Sequence, residues 1–411
     1  MTTIDGREQR GLIIAATKKL TQKGGVWLVP SESGIGKYTV VPHESEPHCT
    51  CPDHETRGCK CKHIHAVEIT VKREQNPDGS ITETQTLTLT SKRTTYSQDW
   101  SAYNKSQTNE KDIFQTLLRD LCRDLPDRPK TNGRQWLKMS DAIFSAIFKV
   151  YCGMSARRFM SDLRDSHGKG YISKLPCHNS VLGVFEADDV FPILRALVER
   201  SATPLKGIDT NFACDSSGFS GCRYDRWFEE KWGSPTKKTL RSWVKAHIMC
   251  GTKTNVVTAI EIHGQHTNDG TQLPALVETT AKRFTINEVS ADLAYSTHEN
   301  LLNVVLAGGK PLIPFKCNAS PGQGGLWAKM LHYFQLHREA FLARYHQRSN
   351  VESTFSMVKR KFGDSLRSKT DTAMKNETLA KFVCHNICCT IQEMHECGID
   401  PTCWAQQDQA V

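Results

Sequence analysis

Between residues 208 and 362 the apolar pattern changes period in a set order, and that order limits the fold more than any other feature of the chain. In "IDTNFACDSSGFS", Ile208, Phe212 and Cys214 alternate with small residues and stop at Asp215 before Ser-Ser-Gly, so a strand ending at Asp215 is expected. "SWVKAHIMCGTKTNVVTAIEI" follows as two β-rich runs around a "CGTKTN" turn, which reads as a hairpin pairing onto the first strand. "LPALVETTAKRF" has helical spacing, "EVSADLAYST" is a strand stopping at Asp292, and "HENLLNVVLAGG" is the next helix. "KPLIPFKCN" is a last short strand, and a single long helix is expected from about 326 to 361.

Three meandering strands, a helix, a strand, a helix, a strand and a closing helix is the order of an RNase H-like α/β fold, in which Asp215 and Asp292 lie side by side at the open edge. The closing helix contains "RYHQRSNVESTFSMVKRKF", with neither Gly nor Pro. At about 100° per residue, Tyr345, Arg348, Glu352 and Lys359 fall within an arc of roughly 60°. Val351, Phe355, Val358 and Phe362 form a neighbouring arc displaced by roughly 80°, an apolar stripe that can pack on the sheet. The polar arc is thereby held beside the strand edge. Asp215, Asp292 and Glu352 would repel one another there unless a divalent cation neutralised them, and hard oxygen ligands favour Mg²⁺ or Mn²⁺. Such a metal pair suits phosphodiester cleavage. Asp209, six residues before Asp215, is the rival for the first position.

The spacing Tyr345, Arg348, Glu352, Lys359 matches the signature around the catalytic glutamate of a large group of bacterial insertion-sequence DDE transposases. "DLAY", with Tyr295 three residues after Asp292, resembles the second block of that family, and "KPLIPFK" the strand after it. The resemblance covers about residues 205 to 392. It implies that Asp215, Asp292 and Glu352 are the metal-binding catalytic triad and that Tyr345, Arg348 and Lys359 contact transposon-end DNA. It also implies double-stranded DNA partners, the element ends and the target, and a homo-oligomer that synapses two ends.

Nearer the N-terminus, residues 26 to 42 read as two short strands joined by a Ser/Gly turn, followed by "HCTCPDHETRGCKCKHIHAVEI". Cys49 and Cys51 form a CxC pair, and Cys61 with His63 a CxH pair, which together can close a tetrahedral Zn²⁺ shell in a module too small to hold a core alone. Cys59, His48, His54 and His65 are competing donors. The strands, the pairs and the helix "HIHAVEITVK" resemble a SWIM zinc finger. The neighbouring "SGIGKYT" is not a phosphate loop, because Ser31 and Tyr38 stand where Gly and Ser or Thr are required.

These readings divide the chain into a SWIM-type module at 1–72, a polar linker at 73–109 with an "NPDG" turn, a helical region at 110–204, an RNase H-like domain at 205–395 and a tail at 396–411. In the helical region, Ser155 and Ser161 are candidate caps, and Arg157, Arg158 and Arg164 suit either a helix-turn-helix DNA-binding unit or a bundle with solvated arginines. Residues 222 to 245 interleave Arg223, Arg226, Lys237, Lys238 and Arg241 with Trp227, Trp232 and Trp243, a pattern for gripping phosphates or an ordinary surface loop. In "LAKFVCHNICCTIQEMHEC", Phe382, Val383, Ile387 and Ile391 favour a packed helix over a second metal site.

The 411 residues allow two or three domains, and a net charge of +9 agrees with a polyanionic partner without requiring one. Sixteen scattered cysteines read as thiols or metal ligands rather than disulfides. No apolar run is long enough for a secretory signal or a membrane span, so the expected compartment is the cytoplasm, with association to the nucleoid when DNA is bound. The function these features imply is DNA transposition. A transposase-derived DNA-binding protein without catalysis and a metal-dependent endonuclease are the alternatives.

Overall fold

A computed structural model describes residues 6–23, 26–31, 36–41, 47–74, 99–129, 136–221, 243–264 and 267–401. The chain forms two compact units, residues 1–97 and 98–411. The "NPDG" turn, most of the linker, most of the basic and aromatic stretch at 222–245, and the tail beyond 401 lie outside the described residues.

The first unit contains α1 (Gly6–Thr17), β1 (Thr21–Lys23), β2 (Val26–Pro30), β3 (Lys37–Val41), β4 (His48–Cys49), α2 (Pro52–Arg57) and α3 (Lys62–Glu74). The two strands expected between 26 and 42 are β2 and β3, in an antiparallel sheet of order β1-β2-β3-β4. Alternation along β2 turns Trp27 and Val29 inward, where they meet Val40, Ile14, Ile64 and Val67. Gly11 permits the close approach of α1 to α3, since a Cβ there would sit 2.5 Å from the His65 Cβ. This core is small, and Cys49, Cys51 and Cys61 belong to it.

In the second unit, α4 (Trp100–Cys122) is followed by α5 (Met139–Cys152), α6 (Ala156–Gly168), α7 (His178–Phe185) and α8 (Val190–Ala202). Helix α4 begins ten residues before the expected start of the helical region, because the Asp99 carboxylate accepts from the Ser101 and Ala102 amides and caps it there. Ser155 stands at the start of α6 without a capping hydrogen bond from its side chain, and Ser161 lies inside that helix, its hydroxyl donating to the Arg158 carbonyl. Ser161 therefore caps nothing.

The sheet comprises β5 (Asn211–Ser220), β6 (Trp243–Gly251), β7 (Val257–Gly264), β8 (Glu288–Ala291) and β9 (Lys310–Leu312), in the order β7-β6-β5-β8-β9. The pairs β5/β6 and β6/β7 are antiparallel, while β5/β8 and β8/β9 are parallel. Helices α9 (Leu273–Ala281) and α10 (His298–Leu306) make the crossovers, each between the strands where the sequence placed it. After β9 come α11 (Gly325–Leu336), α12 (Arg338–Tyr345), a 3₁₀ turn at His346–Arg348, α13 (Ser349–Phe362) and α14 (Asp371–Glu396).

The single long helix expected from 326 to 361 is thus broken, at His337 (φ −118°, ψ 43°) and at the 3₁₀ turn. The two faces of the sheet explain the break. Met330 and Leu331 of α11 pack with Phe212, Met249, Leu276 and Val289 on one face. Val351, Phe355 and Val358 of α13 join Ala213, Ile248 and Ile260 on the other. One straight helix cannot serve both.

That second cluster also takes in Phe114, Ile147, Phe148 and Leu194 of the helical region and Phe382 and Val383 of α14. The helices before 205 and the sheet after it therefore share one core, and the division drawn at 204/205 is not a boundary between cores. Cys384 and Ile387 are fully buried, in keeping with a packed α14.

Candidate active site

The site forms where the parallel half of the sheet ends. Strand β5 pairs with β8 from Asn211↔Glu288 to Cys214↔Ala291, and the next residues on the two strands are Asp215 and Asp292. Asp215 does not end its strand: β5 runs on to Ser220 because β6 continues alongside, with Asp215 opposite Ile248. What ends there is β8. Asp292 leaves the sheet and caps a short 3₁₀ turn, its Oδ1 accepting from the Ala294 amide at 2.8 Å. Asn300 holds that turn, its buried Nδ2 donating to the carbonyls of Gly270 (2.8 Å) and Tyr295 (2.9 Å).

Helix α13 lies over the same edge. Three members of its apolar stripe are buried as the spacing predicts, Val351 and Val358 fully and Phe355 at 5% exposure, while the fourth, Phe362, is half-buried against the same core. Arg348, just before the helix, reaches Asp215 Oδ2 with Nη2 at 3.0 Å and Glu352 Oε1 with Nη1 at 2.9 Å. Two turns beyond Glu352, the Lys359 Nζ donates to Ser217 Oγ at 2.6 Å. Ser217 shares a strand face with Asp215, since side chains alternate along β5. Tyr345, on α12, is half-buried near the same charges.

Burial raises the Asp215 carboxyl above the usual aspartate range, and the neighbouring Asp292 and Glu352 charges add to the rise, while the Ser216 amide and Arg348 oppose it. Burial likewise raises the Tyr345 phenol, with Asp292, Asp215 and Glu352 contributing, and lowers the Lys359 ammonium against the pull of Asp364. These couplings put Asp215, Asp292, Tyr345, Arg348 and Glu352 in one electrostatic neighbourhood, while Lys359 couples to Asp364 and joins the site through Ser217. A cavity of about 530 Å³ opens beside it, lined among others by Asp215, Ser217, Glu352, Lys359, Arg360 and Asp364. The sequence reasoning passed over Ser217, Arg360 and Asp364. Ser217 was readable from its i+2 spacing to Asp215; Asp364, beyond the helix end, had no such signal.

The rival Asp209 has a different setting. It is fully buried, and its carboxylate accepts from the Lys253 amide (2.8 Å), the Thr254 amide (3.3 Å) and the Thr254 hydroxyl. All three donors belong to the β6–β7 turn. Asp209 is built as the anchor of that turn.

In the first unit, the ligand atoms of Cys49, Cys51, Cys61 and His63 all lie within 4.8 Å of one another, and all four residues are buried. His63 Nδ1 sits 3.9 Å from Cys49 Sγ and 3.8 Å from Cys61 Sγ, close to the ligand separations of a tetrahedral zinc shell. The Cys61 thiol is pushed down, chiefly by its hydrogen bond with Cys49, and Cys49 is pushed up by the same bond, so the pair favours one thiolate. Of the competing donors, His54 Nδ1 meets the Cys59 carbonyl at 2.8 Å and His65 faces Glu68. The chemistry and spacing of the four fit zinc.

Residues 207–387 match the family model described as the transposase DDE domain. This similarity supports a transposase function and a DNA-processing enzyme. No curated protein and no solved structure matches the chain. Among the described residues, no helix is long and apolar enough to cross a membrane.

Proposed function

We propose that the protein is a DNA transposase that binds the terminal repeats of its element, cleaves DNA by metal-activated hydrolysis and joins the freed 3′-hydroxyl ends to target DNA. The observation that carries this reading is the junction of Asp215 and Glu352 through Arg348 at the strand end that delivers Asp292, within the segment similar to the transposase DDE domain. The strand order β7-β6-β5-β8-β9, with an antiparallel hairpin on one side and parallel strands on the other, supports an RNase H-like catalytic domain.

Asp215, Asp292 and Glu352 would hold Mg²⁺ or Mn²⁺, and the donor set suits a hard cation: Asp215 and Glu352 already accept a cationic group between them. When bound, such ions activate a water or a 3′-hydroxyl and stabilise the leaving oxygen. The chain's own part is positional. β5 and the turn after β8 fix two carboxylates, the buried stripe of α13 fixes the third, and Tyr345, Arg348 and Lys359 along one edge grip the phosphates of the DNA ends. The Cys49, Cys51, Cys61 and His63 set would hold a structural Zn²⁺ in a SWIM-type finger. The helices α4 to α8, with Arg157, Arg158 and Arg164 exposed, are the proposed helical DNA-binding region. The protein would act as a homo-oligomer on paired ends, in the cytoplasm.

The test is cleavage of a plasmid carrying the element's flanking DNA, with Mg²⁺ or EDTA, by wild type and Glu352→Gln. Metal-dependent cuts at the element ends that vanish in the variant, with DNA binding kept, support the reading. Equal binding with no cleavage by either protein points instead to a DNA-binding protein without catalysis.

A further inference from the structure

Arg348 is bound to two of the groups just assigned to metal. Its guanidinium spans the gap between β5 and α13, with one nitrogen on Asp215 and another on Glu352, and its side chain is 21% exposed. Its Nε is buried with no hydrogen-bond partner. The two carboxylates are thus the groups that hold the head of this side chain. Arginine suits such a bridge because its planar fork presents separate N–H donors in fixed directions.

A divalent cation on Asp215 and Glu352 would use those same carboxylate oxygens and would face a positive charge at hydrogen-bond distance from them. The two cations cannot both be well bound. A guanidinium released from the carboxylates needs another anion, and it stands about three turns along the same edge from Lys359, beside a cavity whose lining carries Lys359, Arg360 and three serines as well as Asp215, Glu352 and Asp364. A DNA phosphate meets that need. Each cation then has an anionic partner in both states, with arginine on the carboxylates in one, and metal on the carboxylates with arginine on phosphate in the other.

We propose that Arg348 is the resident counter-cation of this site, displaced jointly by divalent metal, which takes Asp215 and Glu352, and by a DNA phosphate, which takes the guanidinium. The proposal rests on the metal-site reading of the triad. It makes metal and DNA binding reciprocal, each tightening the other, because one side chain is the obstacle to the first and a ligand of the second. A metal without DNA has to break two ion pairs with no anion offered in return, so the protein resists loading in the absence of its substrate.

The experiment measures free Mn²⁺ by electron paramagnetic resonance in titrations of the full-length protein at low ionic strength, with and without a short DNA duplex of arbitrary sequence. Wild type is compared with Arg348→Gln, Arg348→Lys and Glu352→Gln, each first checked for wild-type circular dichroism. Without DNA, Arg348→Gln is expected to bind Mn²⁺ about ten-fold tighter than wild type, a coupling of ordinary size, with Arg348→Lys between the two. Adding the duplex tightens Mn²⁺ binding by wild type and leaves Arg348→Gln unchanged. The opposite sign overturns the proposal: if Arg348 only holds the carboxylates in place, Arg348→Gln binds Mn²⁺ more weakly than wild type or equally. An equal effect of the duplex on both proteins also overturns it. If Glu352→Gln does not weaken Mn²⁺ binding, the metal-site reading itself fails, and this proposal with it.

Discussion

Asp209 and Asp215 lie six residues apart, and replacing each by alanine separates an anchor from a catalytic candidate. In Asp209→Ala the amide and hydroxyl of buried Thr254 lose their acceptor, while the Lys253 amide, on an exposed residue, can turn to water. A buried donor left unpaired costs about 1–3 kcal/mol. Burial raises the Asp209 carboxyl despite its donors, so its removal also relieves some desolvation and offsets part of that loss. The balance is a destabilisation of about 2–3 kcal/mol. With an m-value of about 3 kcal/mol/M in urea, the midpoint falls by somewhat less than about 1 M. Asp215→Ala frees the Ser216 amide at a partly open site and one nitrogen of Arg348, whose head is 21% exposed and keeps Glu352, and with the desolvation of the raised Asp215 carboxyl relieved its midpoint stays near that of wild type. Urea unfolding followed by circular dichroism, paired with plasmid cleavage at a temperature where both variants are folded, reads both effects. Asp209→Ala should keep measurable cleavage and Asp215→Ala should lose it. An Asp209→Ala protein as stable as wild type yet inactive would refute the reasoning and make Asp209 the first carboxylate of the triad.

Three further outcomes follow from the geometry. Cys61→Ser should lose the bound zinc measured by elemental analysis, together with the protease resistance of residues 6–74; unchanged zinc would sink the ligand assignment. Because the Asp215 carboxyl is raised in the folded state, the fold binds the extra proton, so its contribution to stability is present below the usual aspartate range and is lost as pH rises through the raised value. Asp215→Asn should therefore melt higher than wild type at neutral pH and level with it at pH below about 4, and a uniform offset at all pH values would contradict this. Asn300→Ala removes the buried amide that ties Gly270 to Tyr295, and should cost about 1–3 kcal/mol. Cleavage should then fall more than DNA binding, because the freed turn carries Asp292; equal losses of both would indicate general unfolding instead.

The sequence by itself determined the parts whose signal is local and periodic. Alternation marked β2, β3 and the β6–β7 hairpin, the three-to-four spacing marked the buried stripe of α13, and the CxC and CxH pairs marked the four clustered donors. Each depends on contacts between near neighbours in the chain. What the tertiary structure alone decided depends on partners far away in sequence. Asp215 sits inside a strand because β6 extends past the end of β8, which no feature of 208–220 records. The expected long helix breaks at His337 because its two halves bury apolar residues on opposite faces of the sheet, although the segment has no Gly or Pro to announce a break. The helices before 205 joined the sheet's core because apolar stripes state that a face is buried, not against what. Asp209 and Asp215 look alike in the sequence, and only the fold turns one toward the amides of a neighbouring turn and the other toward Arg348 and Glu352.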